Sequence, residues 1–185
     1  MKRKTRRRLV RTWQAIPIQA RLTAAALVLL GAFAAANWLY HAWRKPSELL
    51  FPVSGYLFKT PATTWREYGR LFREHSTPVI APELLAALAQ VEGGGNPLAR
   101  TYWRWQVAWN PFQVYQPASS AVGMMQITDA RFAEASRYCI HYHKVAEDAC
   151  WFNGLYNRLV PSHAVELTAA FLDRSVARIV ARTRV

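Results

Sequence analysis

Acidic side chains are scarce in this chain: 11 Asp and Glu stand against 24 Lys and Arg in 185 residues, and the first 21 positions hold none. So few carboxylates can be weighed one by one for a chemical role. Cysteine is rarer still, with only Cys139 and Cys150, too few for a disulfide-dense scaffold. They form no Cys-x-x-Cys pair, and His141 and His143 sit one apart near the first cysteine, so no metal site is expected. The chain has no internal repeat, which excludes a solenoid, and no low-complexity segment. No run shows the period-two alternation of a half-buried strand. Long hydrophobic runs number one, which excludes a multi-span transporter, and a hydrophobic share of 52% excludes a disordered chain.

The formal net charge of +13 divides unevenly. Lys2, Arg3, Lys4, Arg6, Arg7, Arg8, Arg11 and Arg21 supply eight positive charges at one end, leaving 16 basic against 11 acidic residues for the rest. A basic tail invites a nucleic-acid reading, because Lys and Arg clusters neutralise phosphates. Its position argues against that partner. Leu22–Tyr40 follows at once, nineteen residues whose polar members are Thr23 and Asn37, the length that a bilayer-spanning helix needs. Positive charge ahead of such a run sets the N-terminus inside and the remainder outside. Trp38, Tyr40 and Trp43, with Arg44 and Lys45 beyond, suit the interfacial belt of a retained anchor. Ala32-Phe33-Ala34 and Ala34-Ala35-Ala36 have the small-x-small form that a signal peptidase accepts, so cleavage stays open as the alternative. Thr5–Arg11 is only a weak match to a twin-arginine signal, because ten residues separate it from the apolar run. The organisation expected is a cytoplasmic tail over 1–21, a transmembrane signal-anchor over 22–43, a linker with one short helix over 44–76, and a folded domain over 77–185 in the periplasm. In that oxidising space Cys139 and Cys150, eleven residues apart, read as a disulfide; in the cytosol two buried thiols would be the better reading.

Pro46, Pro52, Gly55, Pro61, Pro78 and Pro82 punctuate the expected linker. Within it, Tyr68, Leu71 and Phe72 give helical spacing to 65–75. Pro82 suits a first helical turn, and Leu84, Leu85, Leu88 and Val91 form an apolar stripe that Gly93-Gly94-Gly95 ends. Thr128 can cap a helix through Phe132 and Ala135 to about Tyr138, and Ser162 another through Leu172, Val176 and Ile179. The expected fold class is mainly α.

Glu48, Glu67 and Glu74 lie in the linker region, and Asp129, Glu134, Glu166 and Asp173 fall in first turns or exposed helical positions where a solvated acid is ordinary. Glu92 differs: it closes an apolar helix, where unsatisfied carbonyls disfavour negative charge, and it precedes glycines that let backbone approach a ligand. A helix C-terminus and partial burial together would favour the protonated carboxyl that a general acid needs. On local grounds alone, a surface glutamate at a helix end is the commoner case.

The neighbouring residues shift that balance. Residues 82–97, PELLAALAQVEGGGNP, resemble the helix and turn around the catalytic Glu of lysozyme-like lytic transglycosylase (SLT) domains. Some thirty residues on, Ser119–Thr128, containing Gly123-Met124-Met125-Gln126-Ile127, is similar to the Gly-Leu-Met-Gln-Ile signature of the same family and its flanks. The resemblance runs from about Thr77 to the end of the chain. It implies a lysozyme-like helical domain that cleaves the β-1,4 bond between N-acetylmuramic acid and N-acetylglucosamine and leaves a 1,6-anhydro product, without a cofactor. Glu92 would be the acid, and then the base for the muramoyl 6-hydroxyl. Gln126 would hydrogen-bond in the cleft beside Gly123, with Met124 and Met125 either lining it or packing in the core. Between the motifs lie six aromatics in fourteen residues, of which Trp103, Trp105 and Tyr115 are candidate platforms for sugar rings. An ordinary hydrolase would need a second acid, for which Glu147-Asp148 is the candidate pair.

Two departures accompany the likeness. Gly93 stands where the family has Ser, and the later Ala-Tyr-Asn motif finds no counterpart in order, since Tyr156-Asn157 precedes the last helix. The chain reads either as truncated or as completing its cleft differently. The leading expectation is an inner-membrane lytic transglycosylase acting on peptidoglycan strands for a secretion or conjugation apparatus. The competing one is a catalytically inactive peptidoglycan-binding or assembly module of the same fold.

Overall fold

The computed structural model of the chain describes residues 16–147, 150 and 152–183. The expected basic tail lies mostly outside them, as does Asp148. Two compact units divide at Arg44 and Lys45.

The first unit is a helix, α1, over Ile18–Arg44. The predicted apolar run sits inside it, and helical structure continues four residues further at each end. Its leucines and valines point outward, with Leu27, Val28, Leu29 and Leu30 each more than 60% exposed. Twenty-seven residues rise about 40 Å, against about 30 Å for a bilayer core. Among the described residues, α1 is the one helix long and apolar enough to cross a membrane.

Among the described residues, the second unit carries five helices and two small sheets. After a 3-10 turn at Pro46–Leu50 come α2 (Phe51–Ser54), α3 (Pro61–Glu74) and α4 (Pro82–Gly93). β1 (Trp103–Trp105) and β2 (Tyr115–Pro117) pair antiparallel, Trp105 opposite Tyr115. Then follow α5 (Asp129–Ala135), the hairpin of β3 (Tyr138–His141) and β4 (Lys144–Glu147), and α6 (Pro161–Thr183). These strands depart from the expectation of helices and loops alone: at three and four residues, none is long enough to display alternation.

Local chemistry explains the helix boundaries. Pro61 does not break the chain but starts α3, with the Thr60 hydroxyl accepting from the Thr63 N–H. Thr128 caps α5 as its sequence predicts, accepting from the Arg131 N–H. Ser162 does not cap α6. The helix begins one residue earlier at Pro161, and the Ser162 hydroxyl lies 3.1 Å from His75 Nε2. Gly94, with a φ of 57°, ends α4 in the left-handed region that glycine enters without a Cβ penalty.

The core joins Phe72 of α3, Leu85 and Ala89 of α4, Met124, Met125 and Ile127 of the following loop, Ala135 of α5, and Ala164, Val165, Leu167 and Ala169 of α6. Phe72, Leu85 and Leu167 are fully buried, each worth about 1.5–3 kcal/mol over exposure. The buried stripe of α4 is rotated from the predicted one: Leu85 and Ala89 face inward, while Leu84 and Val91 face out.

The largest departure concerns the stretch read as a linker. The second unit begins at Lys45. Glu48 is fully buried, taking 2.8 and 2.9 Å hydrogen bonds from Arg100 Nη1 and Trp103 Nε1, with Lys45 Nζ 3.3 Å away. A buried carboxylate needs such partners, and they come from residues some fifty positions later.

Candidate active site

Gly93 fixes where α4 stops. A Cβ on it would stand 2.5 Å from the Met124 carbonyl oxygen and 2.6 Å from the Met124 Cα, so the end of α4 rests directly on the Gly123–Gln126 loop. That contact brings together the two sequence motifs and sets Glu92, the residue before Gly93, at the rim of a groove. Leu88, Glu92, Met125, Ile127, Arg131, Ala135, Leu167, Thr168, Phe171 and Leu172 line it. The groove is therefore mostly apolar, with one carboxylate, one guanidinium and one hydroxyl among its lining residues.

Glu92 is exposed, not partly buried as its sequence setting suggests, because α4 turns its inward face through Leu85 and Ala89. Its carboxylate makes no hydrogen bond or ion pair with the described residues. Met124 and Met125 divide the two roles open to them. Met124 is wholly buried in the core, whereas Met125 packs in the core and also lines the groove. Gln126 has a φ of 44° and turns its side chain back on the loop, its Nε2 donating to the Gly123 carbonyl at 2.9 Å and to that of Ala99 at 3.2 Å. A non-glycine residue held there costs about 1–2 kcal/mol, which these two hydrogen bonds offset. Gln126 and Gly123 thus shape the loop beneath Glu92 without lining the groove.

Trp103, Trp105 and Tyr115 form their own cluster on the β1–β2 hairpin. Trp105 stacks on Tyr115 at 4.5 Å, Trp103 lies 5.1 Å from Tyr115, and Trp105 remains 74% exposed. None of the three lines the groove. Cys139 and Cys150 form a disulfide with a Cα separation of 5.8 Å. Glu147 ends β4 and pairs with Arg137 at 3.3 Å, away from the groove lining.

Sequence reasoning missed a second polar centre. Glu166, expected to be solvated, is 8% exposed. It accepts from the Tyr156 hydroxyl at 2.6 Å and the Ile140 N–H at 2.8 Å, with His75 Nδ1 at 4.0 Å. Burial pushes the Tyr156 phenol well above its ordinary pKa, and the Glu166 carboxylate adds to that. Burial also lowers the His75 pKa, against the opposing pull of Glu166. The signal was present: Glu166 interrupts an otherwise apolar stretch, Ala164-Val165-Leu167, where a solvated acid has no place. Tyr156 thus hydrogen-bonds a glutamate, but Glu166 and not Glu92. Arg131, Thr168 and Phe171 in the groove were missed too, since only the packing of α5 against α6 brings them beside Glu92.

A helical unit whose apolar core wraps the end of α4 and the loop beneath it is the lysozyme-like class of fold. Residues 71–184 match the family model of the transglycosylase SLT domain, and the chain belongs to that family. Among curated proteins and among solved structures, none matches.

Proposed function

We propose that the chain is a peptidoglycan lytic transglycosylase in which Glu92 is the catalytic acid. The observation carrying this reading is that, among the described residues, Glu92 is the one carboxylate lining the apolar groove. Glycoside hydrolysis by the common two-carboxylate routes needs a second acid roughly 5–9.5 Å across the bond, and among the described residues no other acid lines the groove. Intramolecular transglycosylation needs one. Glu92 protonates the glycosidic oxygen between N-acetylmuramic acid and N-acetylglucosamine, and the bond to the muramoyl C1 breaks. The carboxylate so formed takes the proton of the muramoyl 6-hydroxyl as that oxygen bonds to C1. The 1,6-anhydro ring closes, and Glu92 ends protonated as it began. Leu88, Met125 and Phe171 give the groove apolar walls from which a bound glycan can exclude water.

The length and composition of α1, together with the basic residues before it, support a single-pass inner-membrane anchor with the second unit in the periplasm. A tethered enzyme of this kind opens the wall locally, as a secretion or conjugation apparatus requires. One observation favours a second reading, a catalytically silent peptidoglycan-binding module. No described side chain holds the Glu92 carboxyl in place, and Tyr156 is committed to Glu166. Incubation of the purified chain with sacculi separates the two. The enzyme releases anhydro-muropeptides and Glu92→Gln slows release at least about 100-fold, the scale of general acid catalysis; equally negligible release from both proteins establishes the silent module.

A further inference from the structure

The groove holds one positive charge whose purpose the proposed chemistry leaves unassigned. Arg131 stands in the first turn of α5, its guanidinium over the Phe171 ring at 5.5 Å from the centroid, with both residues lining the groove beside Glu92. The guanidinium makes no ion pair among the described residues. The acids nearest to it on α5 are already taken, since Asp129 pairs with Arg158 at 2.8 Å and Glu134, one helical turn on, pairs with Arg178 at 2.7 Å. Although both line the groove, Arg131 and Glu92 make no ion pair among the described residues. A surface arginine serving only α5 would use its i+3 glutamate. Arg131 instead stands over an aromatic ring at cation–π distance, a placement that leaves its N–H donors available.

We infer that Arg131 is a specificity-determining residue that takes a carboxylate on the muramoyl side of the scissile bond, so that the groove prefers acidic glycans to neutral ones. The inference rests on the reading of this groove as the glycan site. A muramoyl sugar differs from N-acetylglucosamine by its 3-O-lactyl group, which carries a carboxylate when bare and an acidic peptide when substituted. An uncharged N-acetylglucosamine polymer offers Arg131 nothing. A bidentate guanidinium–carboxylate contact in a mostly apolar groove is the strong form of this interaction, and a lysine reproduces its charge but not its fork.

The test measures binding by the full chain in detergent, carrying Glu92→Gln so that ligands survive, with and without Arg131→Gln or Arg131→Lys. Three ligands of equal sugar number serve: a peptide-free muramoyl glycan, the same glycan with its peptides, and a neutral N-acetylglucosamine oligomer. Arg131→Gln is expected to weaken an acidic ligand about tenfold and the neutral one hardly at all, with Arg131→Lys between. Weakening of the bare glycan assigns the contact to the lactyl carboxylate; weakening confined to the substituted glycan assigns it to the peptide. Equal losses for acidic and neutral ligands, unchanged affinities, or no binding of any ligand overturn the inference. Sacculus cleavage by the chain with native Glu92 is assayed in parallel. Absent cleavage with intact charge preference removes the catalytic reading alone, and cleavage that keeps its preference in Arg131→Gln removes this one alone.

Discussion

At position 93 a serine would be an intruder. The Met124 backbone occupies the space a Cβ needs, and a backbone cannot swing aside as a flexible side chain would. What reads in sequence as a missing hydroxyl beside the catalytic candidate is therefore a packing requirement that sets the depth at which α4 meets the Gly123–Gln126 loop. Restoring the residue usual in the family is expected to harm, not help: Gly93→Ser should destabilise by about 1–3 kcal/mol, the scale of overpacking. Thermal unfolding of the variant reads this directly, and an unchanged or higher melting temperature would dispose of the steric account. The turn after Glu92 and the Gly123–Gln126 loop were readable as motifs because each is a local pattern. Arg131 and Phe171 were not, because their meeting depends on α5 crossing α6, and no spacing along the chain records that.

Among the elements, α4 and α5 were readable from Pro82, Thr128 and the glycines that end α4, all of which act within a single turn. Strands β1 to β4 were hidden by their shortness, and Ser162 misled because its hydroxyl is used by a partner 87 positions away. That partner, His75, ends α3 and links it to α6 through Ser162 and Glu166. Besides Glu166, the charged or titratable groups acting on it are Glu74, which favours its protonation, and His163, which opposes it. Burial dominates, so the folded imidazole titrates below its ordinary value of 6.5. The unfolded chain then binds a proton that the folded chain resists. Stability is accordingly full above 6.5 and is lost as pH falls from there towards the folded pKa, below which the loss stops growing. Urea unfolding at about pH 7.5 and about pH 5.5 should show a smaller difference for His75→Gln than for the native chain. An identical pH dependence in the two proteins would exclude His75 as the source.

The start of the second unit is held by a carboxylate that sequence reasoning left in a tether. Had residues 45–76 been free, they would span roughly 30 Å as a flexible coil and let the folded part roam. Glu48 instead draws Lys45 to Arg100 and Trp103, and Lys45 Nζ reaches on to the Thr101 hydroxyl and the Ser119 carbonyl, so the segment just past α1 is built into the base of the β1–β2 hairpin. Nothing local announces this, because a glutamate in a proline-punctuated stretch looks the same whether solvated or buried. Removing the charge tests it. Glu48→Ala removes the carboxylate that the Arg100 guanidinium and the half-buried Lys45 both face, and breaking a buried pair from one side costs about 3–5 kcal/mol. The loss should appear in hydrogen exchange first: amides in 45–57 and 100–105 should exchange much faster than in the native chain, while those of Leu85 and Leu167 in the core change little until global stability falls. Uniformly faster exchange across the unit would show instead that Glu48 supports the fold as a whole, and unchanged exchange at 45–57 would return that segment to the status of a tether.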